Sequence, residues 1–315
     1  MERIAARTGL PRAQSKAQRA ERTAHRTRQI ARVIERVMNA VFVLCGLVSI
    51  AAVALITGYI IWAGLPAIRE IGLTEFLFGR VWASTAAEPK FGILPFILTS
   101  VWGTLGAVVI GVPIGLLTAV FLARVAPKGL HRLVAPAVDL LSGIPSVVYG
   151  LIGMMVLSPT LMRLFSLKSG SCMLAAVLVL AIMILPTIIS VSETALRAVP
   201  PEYEEASLAL GATKMETVFK VTIPAARSGI AAGIVLGVGR AIGEAMAVMM
   251  VAGNVANMPG LFKSVRFLTT AVASEMSYAG GLQRQALFSI ALVLYIFIMA
   301  INLVLNTMLK KEADA

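Results

Sequence analysis

Apolar residues in this chain come in long blocks, and polar residues are confined between them. Val37 to Ile68 carries no charged residue. Phe91 to Ala123 is the second block, with Pro95 and Pro113 inside it. Leu133 to Leu161 is interrupted only by Asp139, and Ser169 to Ser192 by no charge at all. Gly229 to Val251 contains Arg240 and Glu244, and Gln285 to Leu309 closes the set. Each is long enough to cross a bilayer, which takes roughly 20 apolar residues. The pattern predicts an all-α integral membrane protein with six spans.

The polar intervals differ in character. Residues 193–228 form the longest after the N-terminal one. Pro200 and Pro201 should stop the fourth span. Glu202, Glu204 and Glu205 then load the first turn of a new helix, where carboxylates favour the positive dipole end. Gly211 suits the left-handed residue that ends a helix. Thr213 and Glu216 have the spacing of a capping box for a second helix that ends near Pro224. The expectation is two short helices at the membrane surface with an exposed acidic edge. Interfacial helices favour lysine and arginine on their polar face. Three glutamates beside an anionic leaflet fit that poorly and favour docking onto a soluble partner. A further short helix is expected around Leu268 to Met276.

Composition agrees with the membrane reading. Of 315 residues 58% are apolar and 14% charged, against about 25% charged in soluble domains. The net charge of +12 is consistent with nucleic-acid binding only if it is clustered for that purpose, and it is not. Ten of the 28 Lys and Arg residues precede the first span, from Arg3 to Arg36. With the N-terminus inside, nineteen basic residues fall on inner segments and eight on outer ones. Positive charge on inner loops sets orientation, so both termini are expected in the cytoplasm. Residues 1–36 form a basic arm, 37–310 a transmembrane domain with the inner loop 193–228, and 311–315 a short tail. The arm is too long and too evenly charged for a cleaved leader and is expected to lie against anionic lipid.

Two features inside the membrane carry chemistry. A charge near the bilayer centre costs about 2.5–3.5 kcal/mol on insertion scales, so Arg240 must face protein or water. Glu244, four residues on, would share its helical face. The guanidinium fork suits a tetrahedral oxyanion, with Glu244 holding it and tempering its grip. The alternative is a structural ion pair. In the third span Asp139, Ser142, Ser146 and Tyr149 share a face beside Pro145. Asp139 reads either as an inner gate or as a partner of Arg132. Gly229, Gly233, Gly237 and Ala241 make a small-residue stripe that faces either another helix of this chain or a partner. His25 and His131 have no metal or catalytic arrangement around them, and Cys45 and Cys172 read as packing residues. No phosphate-cradling Gly-x-x-x-x-Gly-Lys-Ser/Thr loop is present, so no ATP hydrolysis and no catalytic residue is expected in this chain.

The spacing Glu205-Ala206-Ser207, Gly211, then Val221-Thr222-Ile223-Pro224 resembles the EAA loop of bacterial ATP-binding-cassette (ABC) importer permeases, with Ser207 and Ile223 as mild departures. Lys90 to Phe96, Ser142 to Gly150 and Gly239 to Asn254 are similar to the permeases of the phosphate-specific transport system, nearer the PstC-type than the PstA-type subunit. Ala245 stands where that family usually has threonine. The resemblance covers roughly residues 40–310. It implies a type I importer fold and one half of a phosphate pore in the bacterial inner membrane. Implied partners are a second, PstA-type permease, two ATPase subunits that use the ATP, and an extracytoplasmic phosphate-binding protein docking on loops 69–90 and 253–284. On this reading Arg240, Glu244, Ser146 and Asp139 line the substrate path. Glu204, Glu205, Ala206, Gly211 and Pro224 then form the ATPase-coupling element. Rival readings are a permease for sulfate, molybdate or phosphonate, an ion-coupled secondary transporter, and a non-transporting sensor.

Overall fold

The computed structural model describes the backbone of residues 10–313 and the side chains of 34–304 and 307. The start of the basic arm and the last two residues of the tail lie outside the described residues. The backbone divides into two compact units, 1–59 and 60–315. The described part of the first is helix throughout. It belongs to α1, Leu10–Ile71, which has no break at residue 36. The apolar part of α1, Ile34–Ile71, is long enough to span a bilayer.

In the second unit α1 ends at Ile71 and is followed by α2 (Leu73–Phe78) and a two-stranded hairpin, β1 (Trp82–Ala83) and β2 (Lys90–Phe91). Then come α3 (Leu94–Val120), α4 (Lys128–Gly143), α5 (Ser146–Ile152), α6 (Ser158–Leu164) and α7 (Met173–Arg197). The chain continues with α8 (Pro201–Ala209), α9 (Lys214–Thr217), α10 (Ile223–Ala225), α11 (Arg227–Gly243) and α12 (Met246–Val251). It finishes with α13 (Leu268–Glu275) and α14 (Gly281–Ala313). Three π-helical turns, Phe121–Val125, Gly153–Leu157 and Val218–Thr222, extend α3, join α5 to α6 and join α9 to α10. Among the described residues five helices are apolar and long enough to span, and the pair Lys214–Ala225 and Arg227–Gly243, bent by 71°, makes a sixth only when it is taken as one span.

Two of the six expected spans are corrected. The third does not begin at Leu133. Pro145 forces the residue before it out of the helical region, and Ile144 is extended (φ −69°, ψ 129°). The chain therefore makes a separate amphipathic α4 and starts the span at Ser146, running to Leu164. The Tyr149 hydroxyl donates to the Leu141 carbonyl at 2.8 Å, which also takes the Ile144 N–H at 3.3 Å, and so ties α5 to the end of α4. The fifth span does not run unbroken from Gly229 to Val251. Glu244 is extended (φ −71°, ψ 126°), so the helix stops at Gly243 and restarts at Met246.

α7 is the centre of the packing. Leu180, Met183, Ile184, Ile188 and Leu196 are all fully or almost fully buried. Glycines on both neighbours let the backbones close on it. A Cβ at Gly111 of α3 would sit 2.7 Å from Ile184, and one at Gly115 2.9 Å from Ile188. From the other side, a Cβ at Gly237 of α11 would sit 2.9 Å from the same Ile188. Gly229 and Gly233 likewise meet Ala195 and Val191. The stripe on α11 therefore faces α7 of this chain, which decides between the two alternatives the spacing left open. Gly239 has nothing within 4 Å of such a Cβ, so it lies on an unoccupied side.

At the opposite end from α8–α10 a polar knot fixes the loops. Glu275 at the end of α13 is buried and ion-paired with Arg266. It also accepts from Trp82 Nε1 at 3.3 Å, Ser84 Oγ at 3.4 Å and Gln283 Nε2 at 3.0 Å. Arg266 donates to the Asn254 carbonyl at 2.9 Å and lies 5.9 Å from the Phe96 ring centre. One carboxylate thus joins the hairpin, α13, the start of α14 and the segment before α13. A buried charge of this kind persists only where donors surround it.

Replacing Gly237 by Leu should drive α11 off α7 and cost about 1–3 kcal/mol, the usual range for overpacking. A lowered midpoint of thermal unfolding would register it, with Gly239→Ala as the control that stays near wild type. Equal midpoints for Gly237→Leu and wild type would contradict the packing described.

Candidate functional site

The restart at Met246 follows from local chemistry. A helix that begins in an apolar environment has unpaired N–H groups, and a carboxylate satisfies them and sits well at the positive end of the dipole. Glu244 Oε1 accepts the Ala247 N–H at 2.9 Å, and the Glu244 carbonyl accepts the Thr269 hydroxyl at 2.8 Å. Glu244 is therefore held by α12 and α13. Because it has left the helix, it no longer shares a face with Arg240, and the expected Arg240–Glu244 ion pair is not formed.

Arg240 is half-buried on the last turn of α11. One of its terminal nitrogens donates to Thr187 Oγ1 of α7 at 3.4 Å, and Tyr149 of α5 lies within its electrostatic reach. No carboxylate among the described residues pairs with it. One α-helical turn along α7 from Thr187, Ser190 Oγ donates to Asp139 Oδ1 at 3.3 Å. Asp139 is thus exposed against α7 rather than paired with Arg132. Ser146 opens α5, half-buried, just after the Ile144–Pro145 break. Arg240 and Asp139 are brought to one hydroxyl-bearing face of α7. Thr187 and Ser190 were not singled out in the sequence, because they are two of four hydroxyl residues along α7, with Ser192 and Thr194, and nothing in their spacing sets them apart.

At the other candidate element, the two short helices form as expected. Gly211 is left-handed (φ +88°) and ends the first. Thr213 and Glu216 make the capping box: the Thr213 N–H and hydroxyl each donate to Glu216 Oε2 at 2.9 Å, and Thr213 Oγ1 accepts the Glu216 N–H at 3.3 Å. The Thr213 backbone N–H, its hydroxyl and then Lys220 hold the Glu216 carboxyl below the usual carboxylate range. Ser207 and Thr217 hydrogen-bond at 2.9 Å and tie the two helices together.

The acidic edge needs one correction. Glu202 and Glu205 are exposed, but Glu204 is turned inward. It pairs with Arg124 at 2.9 Å and accepts from the Thr222 hydroxyl at 2.9 Å. Arg124 emerges from the π-helical turn after α3 and also donates to the Leu196 carbonyl of α7. Beside it Arg197 donates to the Leu122 carbonyl at 3.0 Å and to Glu193 at 2.8 Å, and His131 meets the same Glu193 oxygen at 2.6 Å. Glu204 thus joins the short helices to the ends of α3 and α7. What remains outward is Glu202, Glu205 and Ala206 with the apolar Tyr203, Leu208, Leu210, Met215 and Phe219; Leu210 is 90% exposed. Pro224 is exposed in α10, just before the 71° bend into α11.

Residues 111–311 match the family described as binding-protein-dependent transport system inner membrane component. A probable ABC transporter permease of Bacillus subtilis, YqgH, is 38% identical over 267 residues, covering 82% of this chain and 86% of that protein. Phosphate transport system permease proteins PstC of Pasteurella multocida and Haemophilus influenzae are 37% and 35% identical, over 60% and 65% of this chain and 66% and 71% of theirs. Among solved structures, an inward-facing MetNI methionine ABC transporter aligns with TM-score 0.57 at 21% identity, covering 70% of this chain and 95% of that one. A bacterial alginate ABC importer aligns with TM-score 0.56 at 15% identity, covering 82% and 95%. At these identities the structural likeness establishes the fold, that of type I importer permeases.

Two outcomes follow from the geometry. A double-mutant cycle on Arg124→Ala and Glu204→Ala, read by thermal unfolding, should give a coupling energy between about 0.5 and 3 kcal/mol. Strict additivity would remove the link. The capping box should weaken in acid. Glu216 is lowered in the fold, so its contribution is fully present above its ordinary value and is lost as pH falls through the lowered one. Amide exchange over residues 214–222 should quicken on acidification, beyond the intrinsic change, in wild type and not in Thr213→Ala.

Proposed function

The chain belongs to the family of inner membrane components of binding-protein-dependent transport systems, and on that premise we propose that it forms one half of the pore of an ATP-driven inorganic phosphate importer. It is a multi-pass membrane subunit and not itself an enzyme; members of its family work with an ATPase and a substrate-binding protein. In this reading the other half of the pore is a PstA-type permease, the membrane is the bacterial inner membrane, and both termini are cytoplasmic. The ATPase subunits use the ATP. They dock on α8–α10, where Glu202, Glu205 and the apolar Leu210 stand outward. The phosphate-binding protein docks at the opposite end, on the loops that the Glu275 knot holds together.

The observation that carries the proposal is Arg240. It is a half-buried guanidinium inside a span, at the point where the helix breaks, held by one hydroxyl and, among the described residues, by no carboxylate. A charge in that position is retained for a purpose, since its insertion alone costs about 2.5–3.5 kcal/mol. Its planar fork offers two parallel donors to a tetrahedral oxyanion. Thr187, Ser190 and Asp139 supply the polar wall along which an anion leaves Arg240, Ser146 at the start of α5 is assigned to the same path, and the weak 3.4 Å contact to Thr187 is readily exchanged. A passage must release what it binds, and an arginine without a clamp of other cations does so.

Movement reaches this point along α11. Closure of the motor displaces α8–α10, the bend at Ala226 passes the displacement to α11, and Arg240 rides on the far end of that helix. The Glu204–Arg124 link carries the same displacement to α3 and α7.

In vesicles holding the complete complex, Arg240→Gln should abolish ATP-dependent phosphate uptake while the complex still assembles, and Arg240→Lys should keep part of it. Uptake at the wild-type rate in Arg240→Gln would defeat the proposal. Competition by sulfate, molybdate and phosphonate in the same vesicles ranks the oxyanions, and a better competitor than phosphate itself would reassign the substrate.

A further inference from the structure

A second basic feature lies away from Arg240, at the end of the molecule that carries α8–α10. Arg124, Lys128, His131, Arg132 and Arg197 converge on one hollow of about 280 Å³. They come from three elements: the π-helical turn after α3, the first turn of α4 and the last turn of α7. Two carboxylates belong to this cluster, and both are already committed. Glu193 Oε1 takes Arg197 and His131, and Glu204 Oε1 takes Arg124 and Thr222. Lys128 and Arg132 are exposed and in no ion pair among the described residues. Arg124 Nε is buried with no acceptor at all. The hollow therefore has cations in excess and room for a group of several heavy atoms. The first turn of α4 borders it as well: α4 starts after Pro127, with no side-chain cap and no acidic residue in its first turn, so its positive end is uncompensated.

We propose that this hollow binds a phosphate group, separate from the transport path. Tetrahedral, multiply charged and rich in acceptors, a phosphate oxyanion answers the guanidinium and ammonium donors at once. The chemistry is shared by two sources. One is the headgroup of an anionic phospholipid, since basic pockets at the inner ends of spans bind such headgroups. The other is free inorganic phosphate on the same side. Only the side of the membrane rests on the transport reading; the pocket itself does not. An occupant here would lie against Arg124 and so against its pairing with Glu204. Loading of the pocket would thereby bear on the contact that ties the coupling helices to α3 and α7.

The test uses the complete complex and the double variant Lys128→Gln/Arg132→Gln, whose side chains are exposed and hold no ion pair. In one arm, complexes from bilayers containing phosphatidylglycerol are examined by native mass spectrometry for retained lipid. In the other, complexes in zwitterionic nanodiscs without nucleotide are dialysed against labelled inorganic phosphate. Both arms are repeated in an Arg240→Gln background, so that phosphate held in the transport path does not count. The double variant, which removes two cations from the hollow, should retain less phosphatidylglycerol, or bind phosphate at least about tenfold more weakly. Loss in the first arm alone assigns a lipid headgroup, loss in the second alone assigns free phosphate, and loss in both assigns either occupant. Unchanged retention and unchanged phosphate binding would overturn the proposal. Because both readouts are binding and not uptake, failure of Arg240 as the transport contact would leave them untouched.

Discussion

Inside a bilayer, lipid tails are as apolar as leucine, so helices gain little from hiding hydrophobic surface against one another and must be held by close van der Waals fit. This chain meets that constraint at α7. Ile184 and Ile188 lie between glycine faces of α3 and α11, at approaches that leave no room for a Cβ. Every functional inference draws on that contact. It fixes the height of α11 relative to α7, and thereby brings Arg240 within reach of Thr187. It also sets the ends of α3 and α7 close enough for Arg124 to bridge from one to the other.

The two ends of the molecule are built differently. At one, a single buried carboxylate gathers Trp82, Ser84, Arg266 and Gln283 into a fixed platform. At the other, Glu204 and Glu193 are each shared among partners on separate elements, and the links are more exposed. A rigid face suits docking of a partner that delivers cargo. A face tied by a few exchangeable contacts suits an element that is pushed. In this way the short helices are connected to two spans by side chains and to a third by the backbone itself.

Local chemistry was legible in the sequence, and tertiary chemistry was not. Gly211 and the Thr213–Glu216 box depend on residues a few positions apart, and they appear as read. The span count followed from apolar length alone. The break at Glu244 was hidden, because the segment reads as one apolar run and no proline marks the stop; its cause is the carboxylate turning to cap the next helix. Pro145 was visible inside the third apolar block, but not as a full boundary between an amphipathic helix and a span. Glu204 looked like its neighbours Glu202 and Glu205, since nothing in the local run announces Arg124, eighty residues earlier. Thr187 and Ser190 acquire meaning only once α11 and α4 lie beside them.

The commitment of Glu244 to a helix start has an electrical consequence. It leaves the guanidinium of Arg240 uncancelled in a low-dielectric surround. A fixed positive charge beside a narrow aqueous route is an energy barrier to protons, sodium and potassium, and a well for anions. A bacterium that opens a water-lined route for one solute exposes its proton-motive force to a short circuit at every cycle. On the proposed transport reading, the residue that attracts the solute would also be the insulator.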